Sequence, residues 1–162
     1  MSRAVGLLIE MMNAEFDGDC FNGPPLMQTL QALTLEQALD TETYEGYSAW
    51  GIVLHLAYWK DAIARGLGGA ELAPFPYEAS NWPALPEEAT AEGWRELLEV
   101  LAVTHRELVA AIASYTDEAL EARDPEWNVR YGKVISWIAT HDTYHTAQIR
   151  NMGLRGLPVN RP

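Results

Sequence analysis

Four of the 162 residues are histidine, and two of them, His141 and His145, stand four apart in Trp137-Ile138-Ala139-Thr140-His141-Asp142-Thr143-Tyr144-His145-Thr146-Ala147-Gln148-Ile149. On a helix this spacing stacks two imidazoles about one turn apart on one face, where they can grip a single metal ion. The same pair also occurs on ordinary helices that hold no metal, so the reading turns on a third ligand. His55 and His105 are the remaining candidates.

The apolar rhythm of each helix says where its histidine points. Val134, Ile138, His141, His145, Gln148 and Met152 alternate spacings of four and three, so both histidines continue an inward stripe. Ile52, His55, Trp59 and Ala62 follow a three-four-three rhythm on an earlier helix that is apolar on more than one face. Imidazole nitrogens in an apolar interior are costly unless satisfied. A divalent ion held by three neutral histidines satisfies them and leaves coordination positions open for water or substrate. Zinc, nickel and iron all accept imidazole, and the sequence does not choose among them. The alternative is a set of histidines satisfied by hydrogen bonds alone.

Other polar residues have two readings each. His105 takes the vacant place in the seam Trp94, Leu98, Leu101, Leu108, Ile112, as a fourth ligand, as a residue supporting the ligands from behind or, more commonly for such a position, as a hydrogen-bonded core histidine. Asp142 either orients a ligand or bonds a partner helix, or is an exposed helix acid, the commoner outcome. Gln148 reaches water or substrate, or a neighbouring helix. Glu15 serves as a general base only if the first helix faces the metal. Trp50, Trp59, Trp94 and Trp137 sit in helical periodicity and are read first as core. Cys20 lies in a loop with nothing adjacent to activate it.

These side chains need helices to position them. The pattern predicts an amphipathic helix over 2–16, a short helical segment over 26–33, and a Thr34-x-x-Gln37 capping box opening another. A long helix starts at Ser48 as N-cap and runs to the glycines at 66, 68 and 69, a third is capped by Thr90, and a last runs from Tyr131 to Met152 with Gly153 as its stop. Tyr115 to Glu118 reads as a short turn and 154–162 as irregular. Residues 70–89 hold Pro74, Pro76, Pro83 and Pro86 with Phe75, Tyr77 and Trp82. So long a loop either covers a site or straps the bundle. With no convincing strand and no repeat, residues 1–162 read as one all-α domain, a four-helix bundle with short extra helices and a long Pro-rich loop.

Composition excludes several partners. Eleven Lys and Arg against twenty-three Asp and Glu give a net charge of −12, a field that repels nucleic-acid backbones and anionic membranes. No run reads as a membrane span or signal peptide. The single cysteine fits a reducing, cytoplasmic setting.

Three stretches together resemble a known family: Ser48-Ala49-Trp50-Gly51-Ile52-Val53-Leu54-His55-Leu56-Ala57-Tyr58-Trp59-Lys60, the Trp82-Pro83 loop, and His141-Asp142-Thr143-Tyr144-His145 with Gln148-Ile149. The chain resembles the DinB-like, or YfiT-like, metalloenzymes over nearly its full length. The resemblance implies an up-down-down-up four-helix bundle, often a homodimer, with one divalent metal on His55, His141 and His145. It further implies a small-molecule substrate and, in related bundles, thiol-dependent transferase or isomerase chemistry with a low-molecular-weight thiol, or metal-dependent hydrolysis. Lys60, Arg65 and Arg130 are the candidates for holding an anionic thiol. The competing expectations are a non-catalytic, metal-stabilised stress-response or interaction bundle, and a binding protein for a small apolar ligand lodged beneath 70–89.

Overall fold

Helix starts fall where short polar side chains can accept a backbone N–H. Ser2, Thr34, Ser48, Thr90 and Thr116 each cap a helix in this way, and Thr34 completes its box with Gln37. The computed structural model describes residues 2–68 and 72–154. In chain order the elements are α1 (Arg3–Phe16), α2 (Leu26–Gln31), α3 (Leu35–Leu39), α4 (Ala49–Gly66), α5 (Ala91–Ala113), α6 (Asp117–Glu121) and α7 (Tyr131–Asn151). Among the described residues there is no strand, only an isolated bridge between Arg123 and Arg130, and no helix is long and apolar enough to cross a membrane. The four long helices and the three short ones agree with the all-α expectation. The segment over 115–118 differs: it opens α6, because Thr116 caps a turn whose first residues are Asp117 and Glu118. Most of the tail over 154–162 lies outside the described residues.

The core divides into two apolar halves. One gathers Trp50 to Ala57 of α4, Trp94 to Leu101 of α5, Ile149 and Met152 at the end of α7, Phe16 of α1, and α2 and α3. The other gathers Val5 and Met12 of α1, Ile63 to Leu67, Leu108 to Ile112, Leu120, and Val134 to Ala139 of α7. Chain direction follows from this division. The helices α4 and α5 both run from the first half to the second, whereas α1 and α7 run back, giving the up-down-down-up order. Two consecutive parallel helices need a crossover the length of the bundle, and the Pro-rich stretch supplies it. Phe75 and Tyr77 pack on the first apolar half along the way.

Between the halves lies a polar layer. Lys60 is fully buried, at 0 % exposure, and its ammonium donates to Asp142 Oδ2 at 2.6 Å. A second N–H reaches His105 Nδ1 at 3.3 Å, and the ammonium also stands over the Phe16 ring, 5.3 Å from its centroid. His105 stacks on Phe16 at 3.8 Å and donates from Nε2 to Asn13 Oδ1 at 3.0 Å. All four long helices therefore meet in one hydrogen-bonded cluster. Asp142, expected as an exposed acid, is buried, because Lys60 on the facing helix neutralises it. His105 proves to be the hydrogen-bonded core histidine rather than a ligand.

Removing one charge from a buried pair strands the other in low dielectric, at a cost of about 3–5 kcal/mol, whereas replacing both with apolar residues of similar volume is often near neutral. Lys60→Met is thus expected to lower unfolding free energy by about that amount, and Lys60→Met combined with Asp142→Leu to recover most of it. Urea denaturation of the two variants checks this, and equal losses in both would refute it.

Candidate metal centre

The polar layer continues outward into three histidines. His55 comes from the middle of α4, and His141 and His145 from successive turns of α7. Their Nε2 atoms converge: His141 Nε2 lies 3.1 Å from His55 Nε2 and 3.1 Å from His145 Nε2. One nitrogen from each residue falls in a cluster no wider than 4.8 Å. His55 and His145 are buried and His141 is half-buried.

Hydrogen bonds on the far side of two rings set their tautomers. His55 Nδ1 faces the backbone carbonyl of Asn81 at 2.6 Å. A carbonyl only accepts, so Nδ1 carries the proton and Nε2 presents a lone pair. For His145 the chain of hydrogen bonds is one residue longer. The Gln148 amide donates to the Glu45 carboxylate, which turns its oxygen toward His145 Nδ1 at 2.8 Å. His145 Nδ1 must then donate, and its Nε2 is also a lone pair.

Two lone pairs thus aim at the one remaining nitrogen, His141 Nε2, which can give a proton to only one of them. His141 Nδ1 is buried without a hydrogen-bond partner, so neither tautomer of that ring satisfies the cluster. Protonation is no remedy. Burial, reinforced by the neighbouring imidazoles and Lys60, pushes His141 down to about 3 from its ordinary 6.5. Burial likewise takes His145 down to about 4, and it lowers His55 against the Asn81 hydrogen bond. A surplus of inward lone pairs in a poorly hydrated site fits a cation. Donors about 2.0–2.1 Å from one ion, at angles between tetrahedral and octahedral, stand roughly 2.9–3.4 Å apart, which brackets the 3.1 Å separations observed.

The surroundings come mostly from loops. Trp82 stacks on His55 at 4.2 Å and on Tyr47 at 4.6 Å, and the Asn81 side chain accepts from Trp59 Nε1 at 2.8 Å. The crossover therefore both covers the site and straps the bundle. On the other side of His141 a cleft of about 230 Å³ is walled by Trp59, Ile63, Trp127, Trp137 and Ile138. Trp50 and Trp94 are buried as expected, but Trp137 is 46 % exposed and Trp59 is half-buried. Their register places them at the flank of the seam, where they line the cleft instead of the core.

Several expectations are redistributed. Gln148 holds His145 and Glu45, and Glu15 accepts from Asn22 at 3.0 Å. Lys60 is consumed by Asp142, Arg65 by Asp61 and the Ala73 carbonyl, and Arg130 by Glu121. Burial and the Glu15 carboxylate raise the Cys20 thiol, which agrees with an inert cysteine. Glu45, Asn81 and Trp127 carry no local signal in the sequence, since each acts through a contact far along the chain.

The lowered histidines have a consequence for the metal-free protein. Folded His141 and His105 stay neutral to about 3, and His145 to about 4, while the unfolded chain takes up these protons near 6.5. Below that pH the unfolded state binds more protons, so stability falls as pH falls. Asp142, raised by burial, works in the opposite sense and offsets a part. The urea midpoint of metal-free protein is expected to drop steadily from about pH 7 to about pH 4.5, less steeply in His145→Gln. A flat profile would contradict this assignment of protons.

The family model described as DinB superfamily matches residues 25–149, a span that contains all three clustered histidines. No curated protein and no solved structure matches the chain. With a helical bundle and a three-histidine cluster able to hold a metal ion, the chain belongs to the DinB superfamily.

Proposed function

We propose that this protein is a metal-dependent enzyme acting on a small molecule, of the thiol-dependent S-transferase or hydrolase type, with its divalent ion on His55, His141 and His145. The observation that carries the reading is that three neutral Nε2 atoms converge where His141 opens onto a 230 Å³ cleft. A purely structural metal site is closed by its protein ligands, whereas a catalytic one keeps a position open. Such an ion, when bound, supplies Lewis acidity, lowering the pKa of a thiol or water and polarising a substrate oxygen.

The chain's own residues do the rest. Asn81 and Gln148 keep protons on the Nδ1 atoms of His55 and His145, so the lone pairs stay aimed inward. Trp82 lies flat on His55 and shields that side from water. The indole walls lower the local dielectric and strengthen every electrostatic interaction at the centre. With Lys60, Arg65 and Arg130 all engaged in ion pairs, a thiol of low net charge suits the site better than a polyanionic one. The −12 charge argues against a nucleic-acid partner. The homodimer and the cytoplasmic setting belong to the same reading, the first by family resemblance and the second from the lone Cys20.

Protein prepared without a histidine tag and reconstituted with zinc, nickel or iron should bind one ion per chain. Replacing His55, His141 or His145 by Ala should abolish stoichiometric binding, and Gln148→Ala should weaken it by about 10–100-fold, as loss of a ligand's supporting hydrogen bond does. His105→Ala should leave the stoichiometry at one. Isothermal titration reads the metal, and turnover of electrophiles with low-molecular-weight thiols, alongside an ester panel, reads the chemistry. Stoichiometric metal without turnover in either panel would favour the non-catalytic bundle, and absence of binding would overturn the metal reading itself.

A further inference from the structure

Trp59, Trp127 and Trp137 form a wall that packing does not require. Large apolar side chains normally leave water, yet Trp127 and Trp137 remain 36 % and 46 % exposed. Their rings are not randomly placed. Trp127 stands 6.0 Å from Trp59 and 6.3 Å from Trp137, tilted by 55° and 48°. The three indoles converge on one cleft with His141 as its polar end.

The loop that carries Trp127 is built to hold it there. Asp124 accepts from the backbone N–H groups of Glu126 at 3.0 Å and Trp127 at 2.8 Å. Asn128 N–H returns to Asp124 O at 2.9 Å, and Asp124 N–H donates to Val129 O at 2.8 Å. Arg123 binds the Asn128 carbonyl. Asn128 itself sits at φ 53°, the left-handed region that Asn tolerates better than most residues. An exposed indole on so constrained a loop is presented, not left over.

Size and charge identify the occupant. The cleft, at about 230 Å³, exceeds the roughly 150 Å³ that suffices to enclose one benzene ring. Tilted indole faces favour an aromatic guest through offset and edge-to-face contacts. On the other side of Trp59 and Trp127, a second cavity is lined by Asp124 and Glu126. The Lys133 ammonium stands over the Trp137 ring at 5.2 Å, but the two carboxylates and the −12 net charge outweigh it and disfavour an anion. We propose that Trp59, Trp127 and Trp137 form the substrate subsite of the histidine centre, taking a non-anionic aromatic group whose polar substituent points toward His141. The proposal deepens the enzymatic reading above and rests on it for the role of the centre, but binding at the indoles is testable by itself.

The experiment titrates benzyl alcohol and benzoate into ¹⁵N-labelled protein, both metal-free and zinc-loaded, and follows the indole N–H signals of the six tryptophans. Benzyl alcohol is expected to shift Trp59, Trp127 and Trp137 saturably in both forms, with Trp50 and Trp94 unmoved. Trp127→Ala and Trp137→Ala, which replace exposed side chains, should each weaken binding by about tenfold, and benzoate should bind about tenfold more weakly than benzyl alcohol. Shifts that are absent, that spread to Trp50 and Trp94, or that survive both substitutions would overturn the subsite. Equal binding of benzoate would overturn its charge preference. If the indoles bind benzyl alcohol but the protein takes up no zinc, the subsite stands and the metal reading falls; uptake of zinc without such shifts separates the two the other way.

Discussion

The buried contact between Lys60 and Asp142 is the constraint on which the rest of the molecule depends. Lys60 lies five positions beyond His55 and Asp142 immediately follows His141, so one ion pair joins the two histidine-bearing helices at the level of the cluster. A slip of α7 by one turn would leave a buried ammonium and a buried carboxylate each without its partner, each costing several kcal/mol. The pair contributes modestly to net stability, because desolvation cancels much of its attraction. Its value is registry. His105, Asn13 and Phe16 bring α5 and α1 to the same level, and the two apolar halves pack on either side of it.

With the helices held in register, loops complete the site. The segment before α4 docks on the end of α7 through Tyr44 N–H to Met152 O at 3.0 Å. Gly153 allows it: φ is 90°, and a Cβ there would stand 3.0 Å from the Tyr44 ring. That docking brings Glu45 to Gln148, which fixes the amide, which fixes the proton on His145. A backbone turn more than a hundred positions away therefore decides which nitrogen of a candidate ligand is free. The Asn81 carbonyl does the same for His55 from the crossover.

The legible part of this protein is the part governed by local rules. Caps at Ser48 and Thr90 and the stop at Gly153 needed only the backbone's unsatisfied groups, and the stripes through Ile138, His141 and His145 needed only helical periodicity. The three clustered histidines could be read because two share a helix and the third shares its inward rhythm. Asp142 and Trp137 could not be read in the same way. Their environments are set by what faces them: Lys60 across the interface turned an expected surface acid into a buried one, and Trp127, arriving on a loop, turned a nominal core tryptophan into a cleft wall. Periodicity reports which face a residue occupies. It does not report whether the opposing surface is packed, polar or open.

That division of labour bears on how such a centre could change its chemistry. The clustered histidines sit on long helices held by the ion pair and by two apolar halves, so the lone pairs keep their geometry. The walls are different. Asn81 and Trp82 arrive on a crossover that exists because α4 and α5 run parallel, and Trp127 on a short hydrogen-bonded loop before α7. Replacing Trp127 leaves the helix register and the Lys60 pair untouched, yet alters the cleft beside His141. The wall formed by Trp127 can therefore change while the histidine cluster is preserved, because the contacts that hold that loop are not those that orient His55 and His145.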